Sequence, residues 1–215
     1  MHYRIVLFIT LSLTICTHLY TQSDSAEWAP IGTTWYYNFN SSNVYPQANA
    51  LKMESIKDTM VNEKPARIIE GTIYYHSGDT LHAPDVFPEG RIILHQQGDS
   101  IYYLRENTFE LLYDFSLEEG DTMNIVTPEP YRPNIENDTM IQVVIDSTGE
   151  RVLDGDTLRT QIVSTNYSRF YTSYQMYGEI IEKIGNQEFL LPNYNGVCDA
   201  YCPFSLRCYQ DSTIF

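Results

Sequence analysis

The feature that most constrains the fold is a short phrase, aspartate followed by serine or threonine and then an aliphatic residue or methionine, which occurs six times. Successive copies of this Asp-Ser/Thr repeat lie 17 to 22 residues apart, which is about the length of two ordinary strands and their turns. Four copies carry glycine before the aspartate, a pair that turns favour. The six aspartates are Asp58, Asp79, Asp99, Asp121, Asp138 and Asp156. The spacing therefore predicts a chain of β-hairpins.

The segments between these copies have the composition and alternation of short strands. Residues 141–146 (IQVVID) alternate apolar and polar side chains, and residues 33–39 (TTWYYNF) are rich in aromatic and β-branched types. About a dozen such segments are bounded by Gly, Asn, Asp or Pro, and none shows a clear helical apolar stripe over three turns. The sequence predicts an all-β fold, an antiparallel hairpin meander that closes as a β-barrel or a two-sheet sandwich.

The first 21 residues have the pattern of a secretory signal peptide. A basic start precedes an apolar run of 12 residues, 5–16, which is too short to span a membrane. The pattern predicts cleavage between Thr21 and Gln22, leaving residues 22–215 as a single β-rich domain without a transmembrane segment. Lipidation at Cys16 is an alternative. Either leader predicts a protein that is secreted, periplasmic or held at the cell surface.

Charge and motifs exclude several functions. A formal net charge of −15 repels phosphate backbones, so nucleic acid is not a predicted partner. No G-x-S-x-G, H-E-x-x-H or H-x-H motif occurs, and no metal or cofactor is predicted. His76 and His95 lie in strand patterns, where we expect exposed side chains. The paired carboxylates of a glycoside hydrolase remain an alternative, because an acidic chain always offers pairs.

Three cysteines follow the leader, and all lie near the C-terminus, at Cys198, Cys202 and Cys208. Export permits a disulfide, and three cysteines give one bridge and one free thiol. The sequence predicts a bridge between Cys198 and Cys208 that closes a C-terminal loop. A tighter ring between Cys198 and Cys202 is the alternative.

Adjacent aromatic residues recur in the predicted strands. Neighbours on a strand point to opposite faces of the sheet, so one member of each pair is expected in the core and the other can be exposed. One prediction is an exposed face of Tyr37, Tyr75 and Tyr103 that binds a glycan or a cell-surface protein. The alternative, which the sequence favours, is aromatic packing across strands that stabilises the sheet.

Several longer segments resemble a known group of proteins. They are IGTTWYYNF, ESIKDTMVNEKPARII, FELLYDFSLEEGDTM, LDGDTLRTQIV, EIIEKIGN and CDAYCPFSLRCYQDSTIF. In these segments, which spread over most of residues 28–215, the chain resembles uncharacterised exported proteins of Bacteroidetes. That group has no established activity and often carries a C-terminal sorting domain for type IX secretion. No sorting domain is present in this sequence, which ends at Phe215.

The resemblance implies a second meaning for the Asp-Ser/Thr repeat. The triplet is similar to the acceptor site of the general O-glycosylation system of those bacteria. Acceptor side chains must be exposed, as hairpin corners are. The implied acceptors are Thr59, Thr80, Ser100, Thr122, Thr139 and Thr157.

These features together favour an exported, non-enzymatic binding or structural module of the cell surface with an unidentified ligand. One alternative is a secreted hydrolase that acts on glycans. Another is a lipocalin-like carrier of a small ligand, which requires that the meander enclose a cavity.

Overall fold

The structure is a computed structural model, and strands dominate it. It describes residues 27–39, 49–74, 76–77, 80–81, 85–128, 140–166, 174–194 and 205–214. The strands are β1 (Thr34–Phe39), β2 (Asn49–Val61), β3 (Lys64–Tyr74), β4 (His76–Ser77), β5 (Thr80–Leu81), β6 (Asp85–Gln97), β7 (Ser100–Arg105), β8 (Thr108–Asp114), β9 (Thr122–Val126), β10 (Met140–Leu153), β11 (Asp156–Thr165), β12 (Tyr174–Gln175), β13 (Gly178–Ile181), β14 (Gly185–Asn186), β15 (Asn193–Tyr194) and β16 (Ser205–Gln210). No helix occurs within these ranges, and the all-β prediction is confirmed.

The strands form two main antiparallel sheets. A seven-stranded sheet has the order β16-β1-β2-β3-β6-β7-β8, and a five-stranded sheet has the order β14-β13-β11-β10-β9. Two further pairs, β12–β15 and β4–β5, stand apart from these sheets. Most neighbours in the sheets are also neighbours in sequence, as a hairpin meander requires. The β3–β6 and β11–β13 pairings pass over the short strands β4, β5 and β12. Strand β16 makes the long return, to pair with β1.

The edges of the two sheets approach one another on both sides of the core. Strand β8 lies beside β9. On the other side, the Leu206 amide in β16 donates to the Gln187 carbonyl at 2.7 Å, immediately after β14. The two curled sheets thus enclose a common core, in agreement with the predicted barrel or two-sheet sandwich.

Two-residue loops join many of the strands, but not every copy of the Asp-Ser/Thr repeat lies in such a loop. Gly98-Asp99 forms the corner between β6 and β7, with φ of 59° at the glycine. In the β10–β11 hairpin, however, Asp154-Gly155 makes the turn, and the repeat aspartate Asp156 already pairs in the strand. Asp58 also lies within a strand, because Asn62-Glu63 turns that hairpin with φ of 50° and 63°. Local turn chemistry, rather than the repeat itself, places each corner.

Aromatic side chains fill the described core. Trp28 stacks on Trp35 at 5.8 Å between ring centroids, and Trp35 meets the edge of Tyr209 at 5.7 Å. Tyr37 contacts Phe189 at 5.2 Å. Each such pair stabilises a fold by about 0.5–1.5 kcal/mol beyond the contribution of the apolar area that it buries. The aromatic packing that the sequence favoured is therefore present.

The predicted exposed tyrosine face is wrong for the two members that the structure describes. Tyr37 and Tyr103 are both buried, and Tyr75 lies outside the described residues. Tyr37 shares its face of β1 with the fully buried Trp35, while the intervening Tyr36 is half-buried on the other face. Alternation correctly separates the neighbours of each pair, but it does not say which neighbour faces inward.

Polar atoms of the core aromatics bind the opposite sheet. Trp35 Nε1 donates to the Ile184 carbonyl at 2.8 Å. The Tyr113 hydroxyl donates to the Leu190 carbonyl and accepts from the Asn186 amide. Burial raises the pKa of Tyr113 well above its ordinary value, so the hydroxyl remains a donor at any ordinary pH. Glycine suits position 185 beside it, because φ there is 86° and a Cβ would lie only 3.2 Å from the Tyr113 oxygen.

The end of the described chain is held by one buried carboxylate. Asp211 Oδ1 accepts from the amides of Thr213 and Ile214 at 2.6 and 2.8 Å, and Oδ2 accepts from the Tyr209 hydroxyl at 2.7 Å. Burial alone raises the pKa of Asp211, but these hydrogen bonds outweigh it and hold the pKa below its ordinary value. The ionised carboxylate is therefore the form that the fold stabilises.

Two buried tyrosines should respond differently to loss of the hydroxyl. Tyr113→Phe leaves the Leu190 carbonyl and the Asn186 amide unpaired, and should cost about 1–3 kcal/mol of unfolding free energy in urea. Tyr37→Phe is the matched control, because the Tyr37 hydroxyl is buried and has no hydrogen-bond partner among the described residues. It should leave stability unchanged or slightly raised. Equal losses in both variants would contradict the assigned roles of the two hydroxyls.

Stability should depend on pH through Asp211. Because its folded pKa lies below its unfolded value, its ionisation stabilises the fold above about pH 4 and that contribution disappears as pH falls through the folded pKa. We expect the unfolding free energies of wild type and Asp211→Asn, measured in urea across pH 2–7, to differ near neutrality and converge in acid. A constant difference across this range would show that ionisation of Asp211 is not involved.

Candidate functional site

The described chain begins with an irregular segment, residues 27–33, which we call the N-terminal strap. The Trp28 amide donates to Gln96 Oε1 at 2.9 Å, and Ser55 Oγ donates to the Ala29 carbonyl at 2.9 Å. Ala29 has φ of 54°, a left-handed conformation that costs about 1–2 kcal/mol for a residue with a Cβ. Contacts with the inner face of the seven-stranded sheet hold the strap in this conformation.

A cleft of about 520 Å³ lies between the strap and the ends of β2, β3, β6 and β7. We call it the strap cleft. Its floor includes the buried side chains of Trp28, Leu94 and Ile101, and the exposed Met60 flanks it. Glu27, Asp58 and Arg67 supply its charges. The cleft thus combines an apolar floor with a charged rim.

Arg67 organises the rim. Its guanidinium donates to Asp58 Oδ1 from Nε at 2.9 Å and from Nη2 at 2.7 Å, and to Glu27 Oε1 at 2.9 Å. It also donates to the carbonyl of Ala29. The Arg67 side chain is 15% exposed, whereas Glu27 and Asp58 are 67% and 64% exposed. Arg67 therefore ties the strap to β2, and the two carboxylates face solvent.

His95 follows Leu94 on β6 and is also among the residues that line the cleft. Its Nδ1 lies 2.7 Å from the Pro65 carbonyl; a carbonyl only accepts, so Nδ1 carries the proton. The ring packs against Tyr102 and Phe109 at 5.9 and 5.2 Å. His95 is buried, so the expectation of an exposed histidine is wrong. A neighbouring pair of aromatic rings covers it.

The strap cleft is better suited to binding than to glycoside hydrolysis. The general acid of a glycosidase is a carboxyl group held protonated in apolar surroundings. Glu27 and Asp58 instead face solvent, and a shared arginine occupies one oxygen of each. This arrangement fixes the strap and leaves the second oxygen of each carboxylate available to a ligand.

The aspartates of the Asp-Ser/Thr repeat have a role that the sequence did not reveal. Three of them accept ion pairs at 2.7 Å, Asp58 from Arg67, Asp99 from Arg159 and Asp156 from Lys183. Asp121 instead accepts from the Glu118 amide at 2.9 Å. Asp79 and Asp138 lie outside the described residues. In the repeat, the carboxylate thus anchors basic side chains or a turn.

Arg159 uses one of these aspartates to connect the sheets. From β11 it donates to Glu182 Oε1 and to Asp99 Oδ1, each at 2.7 Å, and to the Phe115 carbonyl at 3.2 Å. Its guanidinium also lies 5.6 Å from the Phe115 ring centroid. The hydrogen bond to Glu182, with that to Asp99, raises the pKa of Arg159. We call this group the Arg159 clamp.

The implied glycosylation acceptors differ in exposure. Thr122 and Thr157 are exposed, whereas Thr59 and Ser100 are half-buried. Thr80 lies in β5, where only the backbone is described, and Thr139 lies outside the described residues. The structure thus leaves Thr122 and Thr157 as the most accessible acceptors.

The predicted disulfide involves residues beyond the described ranges. Cys208 is exposed on β16, where it pairs with Tyr36 of β1. Cys198 and Cys202 lie outside the described residues. A bridge between Cys198 and Cys208 stays a prediction.

The described ranges lack two further features. No group of three or more His, Cys, Asp or Glu residues there is arranged to hold a metal ion. No helix in the same ranges has the length and apolar character needed to cross a membrane.

Comparison with known proteins gives two structural matches. No protein-family model matches the chain, and no curated protein matches it. One solved structure, from Bacteroides fragilis, is described as an exported protein with a YmcC-like fold; it aligns with a TM-score of 0.41 and 10% identity over 86% of this chain and 98% of that chain. Another, from Parabacteroides distasonis, is described as a lipoprotein; its TM-score is 0.36, with 12% identity over 85% and 97% of the two chains.

The Arg159 clamp should show measurable but modest coupling. Its side chains are partly exposed, at 37% for Arg159 and 33% for Asp99, so solvent screening limits the pair to about 0.2–1 kcal/mol. A double-mutant cycle of Asp99→Ala and Arg159→Ala in urea should give coupling of that size, decreasing as salt is raised. A cycle of Asp99→Ala with Lys57→Ala, an exposed basic residue of β2, is the control and should be additive. Additivity in the first cycle as well would contradict the clamp.

Proposed function

We propose that the chain is an exported binding module whose ligand occupies the strap cleft. The observation that carries this proposal is the cleft of about 520 Å³ with a buried apolar floor and a charged rim. Sites for small ligands are typically about 300–1,000 Å³, mostly apolar, with a few oriented polar groups. The signal-peptide pattern of the first 21 residues supports export, to the periplasm, the cell surface or the medium.

The filled core favours this site over a central cavity of the lipocalin type. Trp35, Tyr37 and Tyr113 are fully buried between the two sheets, and Trp28 stacks on Trp35 from the strap. A ligand in the strap cleft therefore lies against the outer side of Trp28 instead of replacing the core. The proposed module binds a small molecule, or one projecting group of a glycan or cell-surface protein.

Occluding the cleft tests this function. The melting temperature of residues 22–215 is measured in the presence of a set of soluble glycans and of a library of small amphiphilic compounds. A compound that raises this temperature counts as a hit. Met60→Trp places a large side chain at the cleft, and should weaken binding of any hit at least tenfold, about 1.4 kcal/mol. Val152→Trp is the matched control, because Val152 is 68% exposed and Met60 63%, and Val152 lies on the other sheet.

Two results would count against the proposed function. One is a hit that binds equally to wild type and Met60→Trp, which would place its site elsewhere. The other is the absence of any hit from both collections. Binding that survives in Val152→Trp and is lost in Met60→Trp supports the cleft.

We also propose that Thr122 and Thr157 are O-glycosylated. Both follow a repeat aspartate and both are exposed near the start of a strand. Intact-mass measurement of the protein exported by its native host should show added sugar mass that falls when both residues are changed to alanine. Thr108→Ala is the control, because Thr108 is exposed but follows Asn107. A mass equal to that of the unmodified polypeptide would remove the proposal.

A further inference from the structure

We propose that the strap cleft selects ligands that join an apolar body to a cationic nitrogen, an organic ammonium or guanidinium group. This inference rests on the proposed function and specifies its ligand class. It follows from which hydrogen-bonding atoms of the cleft are already occupied and which remain available.

The apolar part of the ligand is set by the floor. Trp28, Leu94 and Ile101 line the cleft and are buried in the core cluster. Met60 adds an exposed thioether side chain, a flexible group that adapts to different apolar shapes. Burying apolar surface here contributes roughly 25 cal/mol per Å², without regard to the charge of the ligand.

The cleft has little positive charge to offer an anion. Of the described residues that line it, Arg67 is the only lysine or arginine. Its guanidinium already makes four hydrogen bonds, two to Asp58 and one each to Glu27 and the Ala29 carbonyl. An anionic ligand would have to displace these carboxylates and loosen the strap.

Other lysines of the β2–β3 hairpin face away from the cleft. Lys57 precedes Asp58 on β2 and therefore points to the opposite face. Lys64 instead lies 5.8 Å from the Phe109 ring centroid. Neither lines the cleft, so neither offsets the carboxylates at its rim.

The acceptors at the rim remain available. Arg67 contacts Asp58 Oδ1 and Glu27 Oε1, and within the described part of the chain Asp58 Oδ2 and Glu27 Oε2 have no hydrogen-bond partner. Either of these oxygens can therefore accept from a cationic nitrogen while Arg67 keeps its own hydrogen bonds. The net charge of −15 also attracts cations to the protein surface.

Three probes with one apolar body test the inference: 3-phenylpropylamine, 3-phenylpropan-1-ol and 3-phenylpropanoate. Binding to residues 22–215 is measured by calorimetry at neutral pH and low salt. We expect the amine to bind roughly fivefold tighter than the alcohol, a gain that one or two partly exposed ion pairs supply, and the carboxylate to bind more weakly than both. Added salt should narrow the difference.

Neutralising the rim should reverse the preference. In Glu27→Gln with Asp58→Asn, Arg67 loses both carboxylates, so the amine should bind roughly fivefold more weakly and the carboxylate more tightly than in wild type. Glu150→Gln removes an exposed carboxylate from the other sheet, and should change neither affinity. Circular dichroism verifies that the variants are folded, and the comparison of probes on wild type does not depend on them.

The outcomes separate the two proposals. If all three probes bind equally and Met60→Trp weakens them all, the cleft binds ligands without charge selection and this inference is wrong while the proposed function stands. If the carboxylate binds best to wild type, the inference is also wrong. If no probe binds, the ligand class is wrong, and the library screen alone then decides the proposed function.

Discussion

The fold depends on aromatic side chains that bury their rings in the core and place their polar atoms against the opposite sheet. Trp35 reaches the Ile184 carbonyl, and Tyr113 joins the Leu190 carbonyl to the Asn186 amide. Neither sheet can shift along the other without breaking these bonds in a region that water does not reach. The register between the sheets is therefore determined by a few directional contacts within a largely non-directional core.

The strap is the clearest case of local conformation overruled by tertiary contacts. Ala29 adopts a left-handed φ that its side chain disfavours. The indole N–H of Trp28 is buried and has no hydrogen-bond partner within the described ranges. Strain of this kind persists only where the surroundings over-determine it, and it is commonest at functional sites. Arg67 and Ser55 hold Ala29 in this conformation, because both donate to its carbonyl. The strained segment also forms one wall of the strap cleft.

The parts of the structure that depend on local chemistry could be predicted from the sequence. The all-β class, the meander and turns such as Gly98-Asp99 follow from alternation and turn residues within a few positions. Alternation could not show that Tyr37 rather than Tyr36 faces inward. It places neighbouring residues on opposite faces of a strand, but it does not identify the face that packs against the core. The strap cleft could not be predicted from the sequence, because Glu27 and Arg67 are 40 residues apart and the strap has no strand pattern.

The pairing of β16 with β1 joins the two ends of the described chain, with Thr34 beside Gln210. Strand β1 therefore lacks one of its two neighbours until β16 is present. Pairing over such a long sequence separation is slow, because loop closure precedes any gain from contacts. Because synthesis proceeds from the N-terminus, the seven-stranded sheet stays incomplete until Gln210 has been made. The topology thus places completion of this sheet at the end of synthesis, after its other six strands are available.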